Sequence, residues 1–131
     1  MSRQVSPRPR VLVAEDDAML REILEVGLSD EGFEVVAAPD GAAALDLYRH
    51  SGPYDLLLLD EEMPKLTGRQ LLWKLRDSGE RVAALLVSGN LVLSDDERAA
   101  LGVGPVLRKP VSITDLSEAI RVAIVAATQS I

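Results

Sequence analysis

Five short apolar runs alternate with five helix-like segments along this chain, and that alternation constrains its fold more than any other feature. The runs lie at residues 10–14, 34–37, 56–59, 82–87 and 105–108, the last being the weakest. Unbroken apolar runs of this length read as strands buried on both faces, as in a parallel sheet. Between the first two runs, Leu20, Ile23, Leu24, Gly27 and Leu28 share one helical face, with Arg21, Glu22 and Glu25 opposite. Asp40-Gly41 opens a second helix carrying Ala44, Leu45 and Tyr48, which ends near Gly52-Pro53. A third from about Gly68 groups Leu71, Leu72 and Leu75, and a short fourth spans Asp95–Leu101. A fifth, residues 112–128, turns Ile113, Leu116, Ile120 and Ile124 inward. Right-handed crossovers then place helices on both faces of a five-stranded parallel α/β sheet.

Composition narrows the functions. Residues 1–9 (MSRQVSPRP) read as a flexible leader, since Pro7 and Pro9 block regular structure, and 10–131 as one domain. Aromatics are only 3% of the chain, so the core must be Leu, Val, Ile and Ala. No cysteine is present, which excludes disulfides and thiolate metal sites and is compatible with a reducing cytoplasm. No apolar stretch approaches the roughly 20 residues that span a bilayer. A net charge of −7 argues against direct nucleic-acid binding, which needs cations to neutralise phosphates.

The carboxyl ends of parallel strands share one edge, where ligands bind at the point of strand-order reversal. Glu15 and Asp16 follow the first run, Asp60 the third, Ser88 the fourth and Lys109 the fifth. Clustered carboxylates repel one another and must take up protons or a cation. An oxygen-only ligand set suits a hard ion such as Mg²⁺. With a lysine and a hydroxyl beside it, such a site suits a phosphoryl group. An aspartate can itself be the nucleophile, giving an acyl phosphate.

The motifs VLVAEDD (11–17), DLLLLDEEMP (55–64) with Gly68, Ser88-Gly89 and Lys109-Pro110 together resemble the response-regulator receiver family over about residues 10–127. The resemblance implies a flavodoxin-like, doubly wound sheet of order 2-1-3-4-5 with five helices. It implies that Asp60 is the phosphoacceptor and that Asp16 and Asp60 ligate Mg²⁺. Glu15 would assist through a water, and the backbone carbonyl of Glu62 would supply a further ligand. Ser88 and Lys109 would hold phosphoryl oxygens, and the Lys109–Pro110 peptide would be cis. The donor would be a histidine kinase or phosphotransfer protein, and the only chemistry would be at the protein's own aspartate. The length implies a stand-alone receiver or a module of a longer protein.

Three departures from the family matter. Glu15 stands where Asp is usual. Val106 stands where many receivers carry Tyr or Phe, which excludes an aromatic switch there. Glu62 and Asn90 flank the path of the hydrolytic water in the family, so they are expected to tune the lifetime of the acyl phosphate, Glu62 affecting that lifetime more than its formation. Glu62 is expected at the rim, with only its carbonyl facing the metal. His50 is expected at the surface and Trp73 in a half-packed position. Leu91–Leu93, Val122 and Val125 mark the fourth helix, fifth strand and fifth helix as the output or homodimer face. Two other readings stay open: a phosphorylation-independent binding module of the same fold, and a Mg²⁺-dependent aspartate-nucleophile phosphatase with Glu62 as its acid.

Overall fold

The computed structural model describes residues 8–129. The elements alternate throughout: β1 (Arg10–Ala14), α1 (Ala18–Asp30), β2 (Glu34–Ala38), α2 (Gly41–Ser51), β3 (Leu56–Asp60), α3 (Gly68–Asp77), β4 (Ala83–Ser88), α4 (Asp95–Leu101), β5 (Leu107–Arg108) and α5 (Ile113–Gln129). The five strands form one parallel sheet in the order β2-β1-β3-β4-β5. This is the expected flavodoxin-like architecture. Residues 1–7 of the expected leader lie outside the described residues. Its last residue, Pro9, is buried and its carbonyl accepts from the Glu34 N–H at 2.9 Å.

Strand alternation divides the core in two. Leu12, Ala14, Leu57 and Leu59 face a cluster that includes Ala44, Leu71, Leu72, Leu75 and Leu101 from α2, α3 and α4. Val11, Val13, Leu56 and Leu58 face the other side, against Leu24, Leu28, Leu116, Ile120 and Ile124 of α1 and α5. Each fully buried Leu or Val contributes roughly 1.5–3 kcal/mol of transfer free energy. Those central strands therefore fix the positions of the residues that end them.

The helix starts are capped as their sequences demand. Asp17 accepts from Met19 and Leu20, Asp40 from Ala43 and Ser94 from Glu97. Thr67 and Gln70 form a capping box at α3. Ile23 departs from expectation and is 51% exposed. At 100° per residue it lies about 100° from Leu24, beyond the arc that α1 presents to the sheet. With Met19 and Val26 it forms an exposed apolar stripe.

β5 is shorter than its sequence suggested. It pairs with β4 only at Val87↔Leu107 and Ser88↔Arg108. Pro105 has no N–H to extend the ladder. Arg76, buried at the end of α3, braces this region. Its guanidinium donates to the carbonyls of Leu101 (2.7 Å), Glu80 (3.0 Å) and Val82 (2.8 Å). One side chain thereby ties α3 to the end of α4 and the approach to β4.

Candidate functional site

The ends of β1, β3, β4 and β5 converge on one pocket. Carboxylate oxygens of Glu15, Asp16 and Asp60 all lie within 4.8 Å of one another, a group able to hold a metal ion. Glu15 and Asp60 are buried and Asp16 is exposed. Asp17 does not join them, because it caps α1. Its backbone N–H donates to Glu15 Oε2 at 3.0 Å. Arg21 Nη1 donates to the Glu15 carbonyl at 3.0 Å, which pins the loop.

The two oxygens of Asp60 differ. Oδ1 accepts from the Lys109 ammonium at 2.8 Å and from the Glu62 backbone N–H at 3.0 Å. Oδ2 is buried and has no hydrogen-bond partner. A buried carboxylate oxygen without a donor is costly, so this atom invites a cation or a bond to an electrophile. Lys109 is aimed from the segment after β5, where the Lys109–Pro110 peptide is cis.

Electrostatics follow from burial and crowding. Burial pushes the Glu15 carboxyl up to about 7, with the Asp60 charge adding to it against the Asp17 N–H. A cavity of about 430 Å³ adjoins the acids, lined by Glu15, Asp60 and Lys109 together with Leu20, Leu24, Leu58 and Leu116. Burial works against the Lys109 charge, but the Asp60 bond and charge, with Glu15 and Glu62, leave its pKa raised.

Ser88 is fully buried at the end of β4. Its Oγ accepts from the N–H groups of Asn90 (3.1 Å) and Leu91 (2.9 Å), so here it holds its own loop. Glu62 lies at the rim as expected, but its carboxylate does not hang free. Oε1 accepts from the Gly89 N–H at 2.8 Å and stands 4.0 Å from Lys109 Nζ. Burial raises the Glu62 pKa, but the Ser88 hydroxyl, the Gly89 N–H and the Lys109 and Arg108 charges together bring it below its ordinary value. Sequence spacing could not reveal this contact, which joins residues 27 apart across two strands.

Gly68 has a role that the motif alone did not explain. A Cβ there would stand 2.8 Å from the Asp60 carbonyl oxygen and 3.1 Å from Leu59 and Leu86 side chains. Gly68→Ala is expected to cost roughly 2 kcal/mol and to lower Tm by about 7 °C. Thermal melting checks this; an unchanged Tm would show that α3 moves aside freely.

The sequence profile of the response regulator receiver domain matches residues 11–121. The chain belongs to that family. Among relatives of this receiver domain, a probable transcriptional regulatory protein from Picosynechococcus sp. is 30% identical over 125 residues, 88% of this chain and 49% of that protein. The response regulator MprA of Mycobacterium sp. is 36% identical over 110 residues, 82% of this chain and 46% of the relative. The receiver domain thus spans about half the length of these relatives. Among solved structures, the receiver domain of Francisella response regulator 1452 superposes with a TM-score of 0.80 at 28% identity, covering 92% of this chain and 99% of that one. Response regulator TrrA of Thermotoga maritima, solved in complex with Mg²⁺-BeF, gives 0.76 at 29% identity, covering 88% and 98%. Histidine 50 is exposed and bonded to Asp46, as a surface residue should be. No helix of the described residues is long and apolar enough to cross a membrane.

Proposed function

We propose that this receiver domain is a phosphoacceptor switch of a two-component system, with Asp60 as the nucleophile. The observation that carries the reading is the asymmetry of Asp60, one oxygen held by Lys109 and Glu62 N–H and the other buried without a partner. The donor would be a phosphohistidine of a kinase or phosphotransfer protein. An Asp60 oxygen attacks phosphorus, the P–N bond breaks and the imidazole leaves with its electron pair. Lys109 balances charge on a phosphoryl oxygen, and the Ser88 hydroxyl turns from its loop to another. Water later cleaves the acyl phosphate and restores Asp60.

Glu15, Asp16, Asp60 and the Glu62 carbonyl would hold Mg²⁺. The cluster's mutual repulsion and the orphaned Asp60 oxygen fit a hard dication. When bound it supplies charge neutralisation between the carboxylates and an incoming phosphate. The Mg²⁺-BeF complex of the Thermotoga relative supports this ligand chemistry.

The output surface would be the face of α4, β5 and α5, docking a second copy or a different protein in the cytoplasm. Val92, Val122 and Val125 are 79%, 64% and 47% exposed, while Leu93 is buried in the core with Leu71, Leu72 and Leu101. The phosphatase reading is disfavoured by Glu62. Its carboxyl, lowered and already accepting from Gly89, has no proton to give at neutral pH. The test is labelling by acetyl phosphate with and without Mg²⁺. Stoichiometric, Mg²⁺-dependent labelling of wild type with none in Asp60→Asn is the expected result. Steady turnover of phosphoesters would instead favour the phosphatase.

A further inference from the structure

We infer that the Glu62 carboxylate is an internal stand-in for a phosphoryl oxygen, one that an incoming phosphoryl group must evict from the Gly89 N–H. The inference rests on the phosphoacceptor reading of Asp60 and adds a resting-state latch to it.

The geometry is specific. Glu62 leaves the chain two residues after Asp60, and its Oε1 crosses the pocket mouth to the Gly89 N–H at 2.8 Å. The same oxygen is 4.0 Å from Lys109 Nζ, and that ammonium is 2.8 Å from Asp60 Oδ1. An anionic oxygen flanked by a backbone N–H and a lysine beside the acceptor occupies the surroundings that a phosphoryl oxygen on Asp60 needs. One N–H directed at the pocket cannot serve two anions at full strength. The carboxylate is also 41% exposed at its side chain, so water is available to receive it when it leaves.

The contact also ties the acceptor loop to the output side. Gly89 follows Ser88, whose Oγ holds the N–H groups of Asn90 and Leu91 on the way to α4. Latching Gly89 to Glu62 fixes that loop in its resting position. With Val106 in place of an aromatic ring, release of this latch gives the phosphorylated state a different way to move the 89–94 loop. Glu62 therefore acts on phosphoryl binding itself, in addition to the hydrolysis step that its position suggested.

The test compares the full chain as wild type, Glu62→Asp, Glu62→Gln and Glu62→Met. All four keep the backbone carbonyl. Asp keeps the charge but is one methylene too short to reach Gly89; Gln keeps the reach and an acceptor but loses the charge. Two readouts are taken: exchange and shift of the Gly89 amide proton without ligand, and affinity for beryllofluoride with Mg²⁺. A charge-assisted hydrogen bond is strong enough that its loss is expected to change each by about tenfold in Glu62→Asp and Glu62→Met, with faster exchange and tighter binding. Glu62→Gln is expected to change less. Wild-type behaviour of Glu62→Asp would overturn the latch, because charge alone would then account for any effect. An unmoved Gly89 amide in Glu62→Met would overturn it as well. If no version binds beryllofluoride, the phosphoacceptor reading falls and this inference falls with it, whatever the amide shows.

Discussion

Replacing Arg76 with Ala is expected to destabilise this receiver domain by about 3 kcal/mol and to lower Tm by roughly 10 °C. The guanidinium satisfies three carbonyls from two segments, Leu101 at the end of α4 and Glu80 and Val82 in the loop before β4. Its removal strands the Leu101 carbonyl in the interior and unties α4 from α3. Arg76→Lys should recover less than half of the loss, because one ammonium cannot reach three divergent acceptors. Thermal melts of the two variants check this. A Tm within about 1 °C of wild type for Arg76→Ala would mean that water replaces the brace at no cost.

The second large effect is a dependence of metal-free stability on pH. The Glu15 carboxyl is raised from 4.5 to about 7, chiefly by burial and then by the Asp60 charge against the Asp17 N–H. A raised carboxyl keeps its proton in the folded state while the unfolded chain releases it. Stability linked to this group is therefore fully present below about pH 4.5 and is lost as pH rises to about 7. The shift corresponds to about 3 kcal/mol at about 1.4 kcal/mol per unit. Glu15→Gln removes this penalty while keeping an acceptor for the Asp17 N–H. At pH 8 without metal, the variant should be more stable than wild type, and at pH 4.5 the two should converge. Denaturant titrations at both pH values, with chelator, provide the comparison. A cation should offset the same repulsion, so Mg²⁺ should stabilise wild type more than Glu15→Gln. Equal stability of the two chains at pH 8 would remove the account of Glu15.

Much of this architecture was legible in the chain because the central strands are buried on both faces. Runs such as LLLL before Asp60 need no tertiary information to be recognised, and the residue that ends each run lands on the sheet's ligand edge. The acidic pocket was legible for the same reason. Asp17 stands apart from Glu15 and Asp16 because its side chain caps α1, a role that calls for the same carboxylate as holding a cation. Ile23 failed because apolar periodicity cannot report where an inward arc ends. Arg76 and the Glu62 carboxylate were invisible for a deeper reason. Each acts on backbone groups of segments distant in sequence, and backbone groups leave no residue signature.

Asp60 is expected to take the phosphoryl group in a cation-dependent reaction. The most direct measurement is intact and peptide mass spectrometry of the chain after incubation with acetyl phosphate. With Mg²⁺, one phosphoryl group is expected on the peptide containing Asp60, and none is expected with chelator or in Asp60→Asn. Labelling of Asp60→Asn to the wild-type level, or equal labelling of wild type with and without Mg²⁺, would contradict the account.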